Sequence, residues 1–309
     1  PSIKDVYFPV FRQKDWFLGN SWASGIALFG GRPYSNGRNQ ESSSEAIAAY
    51  EGVAMYGSTM MKAWGNGRSA NASDNDNAYT ACQLFNIGRF LATTEIRSAD
   101  RYWHVYSPKR DQIYPDSYTP AVVSMMWDTM AQSQTWFGNA PFLAYGIQLL
   151  PLTPISERRD TDQWLRTLYP TFVESCMSDS LCENEGWSVL LYAVLAELGH
   201  EDKAMENVLA LPNSVFESAG GGGHSLTNTL WYIASRPTPK VPYNLTNPST
   251  SIHSKSAPMT EEEKIDCGCP DTCVSEVLSS NANGYTCAAR IQWLITNRGL
   301  SELGACKIV

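Results

Sequence analysis

Charged residues and long hydrophobic runs are both scarce in this sequence. Charged side chains make up 17% of its 309 residues, against roughly 25% in an average globular protein. The net charge is −8, and an acidic surface repels phosphate groups, so we expect no nucleic acid as a partner. No apolar run reaches the roughly 18 residues of a membrane span, so none is predicted.

Histidine is scarce as well, and several catalytic motifs are missing. The histidines are scattered without the spacing of metal ligands, so we expect neither a metal site nor a cofactor. The glycine run at 220–223 lacks the Lys-Ser/Thr of a phosphate-binding loop and predicts a flexible turn. No Gly-x-Ser-x-Gly elbow occurs, which argues against serine hydrolase chemistry. The four histidines are His104, His200, His224 and His253.

The start of the sequence has neither a methionine nor a signal peptide. The first residue is Pro1, and no helix cap or other domain opening follows it. We therefore expect either that processing has removed an upstream part or that the sequence is a fragment of a longer chain.

Aromatic residues, by contrast, are abundant, with ten Trp and fifteen Tyr in the chain. A low charge density combined with many such rings is common in proteins that stack against sugars. A large core with aromatic filling has the same composition, so both interpretations stay open.

Eight cysteines favour disulfides in an oxidising compartment. Cys176 and Cys182 lie close enough in sequence to close a local loop, and Cys82 stands alone in a helical pattern. The odd number in the tail leaves one cysteine to pair with Cys82 or with a residue beyond Val309, and the tail spacing fits no common zinc pattern. The tail cysteines are Cys267, Cys269, Cys273, Cys287 and Cys306.

Two N-glycosylation sequons add modest support for secretion. They are Asn71-Ala-Ser73 and Asn244-Leu-Thr246. We therefore expect an extracellular or cell-wall protein, and a monomer.

Apolar residues at helical spacing, separated by Gly, Pro and Asn turns, predict a mostly α fold. Few strand signals occur, so the order favours a toroid of helical hairpins over a βαβ layout. Asp74 or Asp76 is the predicted cap of the second helix, and Pro170 is expected to bend the fourth. The predicted helices are Ser43–Trp64, one ending near Thr94, Pro120–Gly138, Asp160–Met177, Trp187–Leu198, Glu201–Leu211 and Ser225–Ser235.

Composition divides the chain into three parts. Residues 1–237 form the predicted helical domain, and residues 238–262 are rich in Pro, Ser and Thr, which is typical of an extended linker. Residues 263–309 form a Cys-rich module with predicted helices at Thr272–Leu278 and Ala288–Asn297. So short a module buries little core, and disulfides would supply the missing stability.

Two glutamates at a predicted helix start are the main candidates for chemistry. Glu41 and Glu45 are four residues apart, so a helix places both carboxylates on one face. Like charges that close raise at least one pKa in a desolvated site, while the helix N-terminus favours the anion. The structural alternative is a plain capping box of Ser42 with Glu45.

Four segments, in sequence order, resemble glycoside hydrolase family 81, the endo-β-1,3-glucanases. Asp15-Trp-Phe-Leu-Gly-Asn-Ser-Trp-Ala-Ser-Gly25 is followed by a short Gly-rich loop and then Asn39-Gln-Glu-Ser-Ser-Ser-Glu45. The third segment is Tyr145-Gly-Ile-Gln-Leu-Leu-Pro-Leu-Thr-Pro154, and a weaker fourth match lies at 225–232. The Cys-rich tail is similar to modules on oomycete members of the family.

The resemblance implies a partial (α/α)6 toroid with a long cleft, and hydrolysis of internal β-1,3-glucosidic bonds with inversion. An inverting enzyme holds its acid and base roughly 6.5–9.5 Å apart, so a pair one helical turn apart fits a base and its helper better. The resemblance makes Glu41 the base and Glu45 the second carboxylate, and the two roles could be exchanged. The implied substrate-binding residues are Asp15, Trp16, Asn20, Trp22, Gln40 and Tyr50.

The sequence departs from the family pattern in two places. Asn20 stands where the family has a histidine, so this position is expected to bind sugar or backbone without moving a proton. The family's acid, an aspartate in Asn-Asp-His-His-Phe-His-Tyr, has no counterpart here, and neither Asp5 nor Asp15 lies in that context. We expect the acid upstream of this segment and little hydrolysis by residues 1–309 alone. The alternative is a β-glucan-binding protein that does not cleave.

Tryptophans are the candidate sugar platforms, with a core position as the alternative for each. Trp22 ranks first because it lies inside the first motif, and Trp16 and Tyr50 follow. Lower-ranked candidates are Trp64, Trp103, Trp127 and Trp136.

Overall fold

The computed structural model describes residues 6–7, 10–23, 25–65, 71–107, 113–217, 224–237, 239, 241–245, 281–282 and 285–298. It divides into two compact units. The first contains Pro1–Glu51 and Leu91–Thr250, and the second contains Gly52–Phe90 and Ser251–Val309.

Helices dominate the described residues, in agreement with the predicted mostly α class. Each long segment predicted from helical spacing is a helix, except the one over 120–138. The helices are α1 Ser43–Ala63, α2 Ala72–Tyr102, α3 Pro141–Ile147, α4 Ser156–Arg159, α5 Asp162–Ser178, α6 Leu181–Asn184, α7 Ser188–Glu197, α8 Glu201–Ala210, α9 Ser214–Glu217, α10 Leu226–Ala234 and α11 Cys287–Arg298.

Polar side chains fix where several helices begin. Asn71 accepts the N–H of Ser73 at 3.0 Å, so α2 begins before the predicted caps Asp74 and Asp76. Thr161 and Ser225 cap α5 and α10 with their hydroxyl groups, as such residues commonly do at helix N-termini.

A small antiparallel sheet lies in the first unit, in segments with few strand signals. Its strands, in spatial order, are β1 Ile26–Phe29, β2 Arg32–Gln40, β3 Met125–Trp127 and β4 Ala131–Gln132. Gly30 and Gly31 join the first two with φ of 57° and 76°, the left-handed geometry that tight hairpins need.

The sheet corrects two predictions. The Gly-rich segment before Asn39 is strand β2, and the predicted helix Pro120–Gly138 is wrong because β3 and β4 occupy its centre. Asn39 pairs with Trp127 in the register of β2 and β3. Backbone pairing with a strand far away in sequence therefore overrides the local helical spacing.

The core of the first unit lies between α3, α5, α7 and α10. Trp164, Phe172, Leu190 and Tyr232 are completely buried at its centre, and each such apolar side chain stabilises the fold by roughly 1.5–3 kcal/mol. Trp103 is also completely buried, so this candidate sugar platform is a core residue.

The described part of the predicted linker packs on the first unit. The N–H of Tyr243 donates to the Leu198 carbonyl at 2.8 Å, and the Tyr243 ring is buried against Tyr169. Residues 241–245 lie past the predicted domain boundary at residue 237, yet Tyr243 among them is held against the helical core.

The predicted disulfide Cys176–Cys182 is confirmed. It joins α5 to α6 within the first unit. Cys82 is disulfide-bonded too, whereas Cys287 is free.

In the second unit, α1 and α2 pack closely at Gly57. A Cβ there would lie 2.4 Å from the Phe85 amide nitrogen, so a larger residue would push the backbones apart. Met61, Ala81 and Cys82 form the local core, and the candidate platform Trp64 packs against it.

The tail of the second unit contains a short hairpin and one helix among its described residues. The strands are β5 Asn281–Ala282 and β6 Tyr285–Thr286, and α11 confirms the helix predicted at Ala288–Asn297. The helix predicted at Thr272–Leu278 lies outside the described residues. No helix in the described part of the chain has the length and apolar character to cross a membrane.

Candidate active site

The two candidate glutamates lie where β2 ends and α1 begins. Glu41 follows the last residue of β2, and Ser42 is the N-cap, its Oγ accepting the Glu45 N–H at 3.3 Å. The predicted helix cap therefore exists, and it fixes the backbone next to Glu41. Glu41 is half-buried, while Glu45 is exposed one turn further along the helix.

The serines between the glutamates attach this junction to the third motif. The hydroxyl groups of Ser42 and Ser44 both donate to the Ile147 carbonyl, each at 3.0 Å. The Leu150 carbonyl is also a partner of the Ser44 hydroxyl, which shares its one proton between the two carbonyls. These side chains are buried, so the cross-link holds the helix start against the end of α3.

Gln148 ties the same two motifs together and was missed by the sequence reasoning. Its amide nitrogen donates to the Glu41 carbonyl at 2.6 Å and to the Ser124 carbonyl at 3.0 Å. Its oxygen accepts the Ser43 hydroxyl at 2.8 Å. A fully buried amide with three partners is a rigid brace. The sequence feature that could have revealed Gln148 is its position inside an otherwise apolar run.

Arg159 holds the third motif from its other side. It is buried in an ion pair with Asp160 at 2.5 Å and donates to the Leu149 carbonyl at 2.8 Å. The backbone that receives the serine hydroxyls is therefore itself anchored.

The carboxylate of Glu41 meets a backbone donor from a distant loop. Its Oε1 accepts the N–H of Trp136 at 2.7 Å. Burial raises the pKa of Glu41, the Trp136 N–H offsets part of this, and the charge of Glu45 raises it further. A carboxylate whose pKa is raised is a stronger base toward water than a solvated one.

An open pocket with a volume of about 280 Å³ lies beside this loop. Phe29 and Trp136 stack in it with ring centroids 6.2 Å apart, and Trp127 meets Trp136 edge-on at 5.3 Å. Trp136 is 46% exposed, so its ring is available to a ligand. The lining residues are Phe29, Tyr34, Met125, Trp127, Gln132, Gln134, Thr135, Trp136, Gly138 and Asn139.

Residues 1–233 match the family described as glycosyl hydrolase family 81 C-terminal domain. The chain belongs to glycoside hydrolase family 81. The family predicted from the four motifs is therefore confirmed.

This family 81 chain is similar in sequence to two curated relatives. It is 30% identical over 226 residues to a glucan endo-1,3-beta-D-glucosidase of Glycine max, covering 72% of this chain and 29% of the relative. It is 30% identical over 173 residues to a protein of the same name from Acetivibrio thermocellus, covering 56% of this chain and 19% of that one. The chain thus spans less than a third of the length of either relative.

The solved structure is a glycoside hydrolase family 81 protein from Clostridium thermocellum, in a variant form. It aligns with a TM-score of 0.54 at 23% identity, covering 75% of this chain and 27% of that chain. This likeness supports the fold of the family 81 domain, whereas the complete toroid stays a prediction.

Gln40 acts as a brace between the first two motifs of the domain. Its oxygen accepts the Ala23 N–H at 3.0 Å, and its nitrogen donates to the Ser42 carbonyl at 2.8 Å. The side chain is completely buried, so it offers no exposed atom for direct contact with a sugar.

Trp22, the first-ranked sugar platform, is only 4% exposed. The Arg38 guanidinium covers its ring at 4.9 Å, and its indole nitrogen donates to Asp15 at 3.2 Å. This placement disfavours direct stacking of a sugar on Trp22. Trp16, in contrast, is 54% exposed and stays a candidate platform.

Asp15, one of the implied substrate-binding residues, stabilises the turn that follows it in the chain. Its Oδ1 accepts the N–H groups of Phe17 and Leu18, each at 3.0 Å. Partial burial acts to raise the pKa of Asp15, but these bonds, the Trp22 donor and the charge of Arg38 together hold it below its usual value. An anion stabilised in this way is a poor proton donor.

Asn20 binds backbone rather than an open cleft. Its nitrogen donates to the Ser21 carbonyl at 2.9 Å, and the side chain is buried. Tyr50 is also buried, and its hydroxyl meets the Ser21 hydroxyl at 2.6 Å. Both residues therefore shape the first motif from within.

A buried ion pair beneath the first motif was also missed by the sequence reasoning. Lys14 Nζ lies 2.6 Å from Glu95 Oε2, and both side chains are fully buried. Glu95 also accepts the N–H and hydroxyl of Ser21, at 2.9 and 3.0 Å. Burial lowers the pKa of Lys14 and raises that of Glu95, although each charge partly offsets the shift of the other.

Proposed function

We propose that this domain supplies the catalytic base of an enzyme that hydrolyses internal β-1,3-glucosidic bonds with inversion. The observation that carries the proposal is Glu41, half-buried at a braced helix start beside an aromatic pocket. The names of the Glycine max and Acetivibrio relatives support the substrate class. The chain spans less than a third of the length of either relative, so their activity enters here as part of the proposal.

In this mechanism Glu41 draws a proton from a water molecule beneath the glucose ring. The water oxygen attacks the anomeric carbon from the face opposite the leaving oxygen, which inverts the configuration. Burial keeps the pKa of Glu41 above its ordinary value, and the Gln148 contact fixes its backbone. Glu45 is the second carboxylate, positioned one turn away to orient the water or to tune the base.

The general acid is expected outside residues 1–309, because the family's aspartate motif is absent from this sequence. The acid must protonate the leaving oxygen from the opposite side of the bond, roughly 6.5–9.5 Å from the base. Glu45 follows Glu41 by only four residues, in the first turn of α1, and so is poorly placed for that role.

The aromatic pocket is the proposed sugar platform. The C–H face of a glucose ring packs on a flat aromatic ring, and Trp136 is half-exposed next to the base. Gln134 and Asn139 line the same pocket, and their amides can bond to sugar hydroxyls. The preferred platform therefore moves from Trp22 to Trp136.

Trp136→Ala is expected to weaken the binding of laminari-oligosaccharides by about 10- to 100-fold, because the variant loses the apolar ring that a bound sugar would cover. The backbone N–H to Glu41 survives this change. Isothermal titration calorimetry measures the affinity. Trp231→Ala is the matched control, since Trp231 is equally exposed at 46% but lies on α10 away from the pocket. Equal affinities of the two variants would contradict the platform.

The reaction itself is tested with laminarin and the complete protein, with the product anomers followed by NMR. Inversion predicts that the α-anomer appears first and then mutarotates. Initial release of the β-anomer would mean retention and would exclude the single displacement in which Glu41 activates the attacking water.

The alternative is a β-glucan-binding protein that does not cleave. The buried Asn20, where the family has histidine, favours this alternative. Laminarin binding by the complete protein without any new reducing ends would establish it. In either case we propose a secreted protein, since the Cys176–Cys182 disulfide suits an oxidising compartment.

A further inference from the structure

A single carbonyl receives two donors in the turn that carries Trp136. The N–H of Thr135 donates to the Gly138 carbonyl at 3.1 Å, and the Thr135 hydroxyl donates to the same oxygen at 2.9 Å. Thr135 is buried, so water does not compete well for these bonds. The two bonds close residues 135–138 into a fixed turn.

This turn presents the Trp136 N–H to the candidate base. The amide nitrogen lies 2.7 Å from Glu41 Oε1, although the two residues are far apart in sequence. A backbone donor has no side-chain freedom, so its direction depends on how the turn is held.

We propose that Thr135 is a positioning residue, whose grip on the Gly138 carbonyl keeps the Trp136 N–H directed at Glu41. This inference rests on the proposed role of Glu41 as the base. The hydroxyl of Thr135 thus affects the reaction only through the Trp136 N–H.

The electrostatic consequence has a definite sign. Burial and the charge of Glu45, which lies on α1, both raise the pKa of Glu41, while the Trp136 N–H lowers it. A donor to a carboxylate stabilises the charged form. Loosening the turn therefore removes the hydrogen bond that lowers the pKa of Glu41, whereas burial and the charge of Glu45 still raise it.

The test uses Thr135→Val, which keeps the β-branched shape and removes the hydroxyl. The ¹³C signal of the Glu41 carboxyl in the 309-residue chain, assigned by its loss in Glu41→Gln, reports its titration. We expect the pKa of Glu41 to rise by about 0.5 to 1 in Thr135→Val, the loss of part of a charged hydrogen bond. Thr135→Ser keeps the hydroxyl and is expected to restore the original value.

Thr229→Val is the matched control. Thr229 is buried and donates its hydroxyl to the Ser225 carbonyl at 3.0 Å, on α10. Its loss is expected to leave the titration of Glu41 unchanged. A Thr135→Val chain with a native-like spectrum and an unchanged titration would overturn the proposal.

A second measurement covers the case in which Thr135→Val does not fold. In the unaltered chain the amide proton of Trp136 must shift with the ionisation of Glu41, because the carboxylate is its acceptor. A Trp136 amide that is insensitive to that titration would also overturn the proposal.

These readouts separate this proposal from the proposed function. The NMR titration reports protonation whether or not the bond is cleaved. In the complete enzyme, the acidic limb of the kcat/KM profile should move to higher pH in Thr135→Val and return in Thr135→Ser. Full activity of Glu41→Gln would remove the base assignment while leaving the NMR result for Thr135 intact.

Discussion

Replacing Glu41 by glutamine in the complete enzyme is expected to lower kcat for laminarin about 10²- to 10⁴-fold, the usual contribution of a general base. The amide has the same shape and still offers an oxygen to the Trp136 N–H, but it cannot take a proton from water. The affinity for glucan should therefore change little. Initial rates of reducing-end formation measure kcat, and calorimetry measures binding.

Two further variants sharpen this result. Glu51→Gln changes a glutamate of α1 that lies outside the motif, and this variant is expected to keep normal activity. Glu45→Gln is expected to reduce kcat because the second carboxylate is lost. Normal turnover by Glu41→Gln would refute the base assignment, and an inactive Glu45→Gln beside it would show that the two roles are exchanged.

The pH dependence follows from the environment of Glu41. A base must be ionised, and burial raises the pKa of Glu41 above the ordinary value of a glutamate. The acidic limb of activity should therefore lie at higher pH than for a solvated carboxylate. The same shift also affects stability. Below the pKa of Glu41 in the unfolded chain, Glu41 is protonated in both states and the full stability is present. That part of the stability is lost as the pH rises through the higher pKa of the folded state.

Lys14→Met is expected to lower the free energy of unfolding by about 3–5 kcal/mol, because it leaves Glu95 charged and buried without its partner. The change also affects the first motif, because Glu95 holds Ser21 there through two hydrogen bonds. Urea unfolding followed by circular dichroism measures the change.

The double variant Lys14→Met/Glu95→Gln is the internal control. A neutral amide at position 95 removes the unpaired charge and should recover much of the lost stability. Lys203→Met supplies an external control, because its pair with Glu206 is exposed on α8 and such pairs contribute little. A cost for Lys14→Met as small as that of Lys203→Met would contradict the buried-pair argument.

Local sequence pattern predicted the helices well where apolar residues recur at helical spacing. Residues 188–197 and 201–210 are helices close to their predicted bounds. Neither has a side-chain cap at its start, so the spacing and burial of apolar residues, which are local properties, account for them. The prediction over 120–138 was wrong, because its backbone hydrogen bonds go to a strand that begins at Arg32. Spacing within the segment carries no trace of that partner.

The sequence alone determined the family and singled out the two glutamates as candidates, since both depend on which residues follow one another. Only the tertiary structure decided which rings are buried and which can meet a ligand, as Trp22 and Trp136 show. It also brought the Trp136 N–H to Glu41 and the amide of Gln148 to the Glu41 backbone. The physical reason is that contacts between residues about 100 positions apart depend on the path of the whole chain, and burial is a property of the packed core rather than of any one segment.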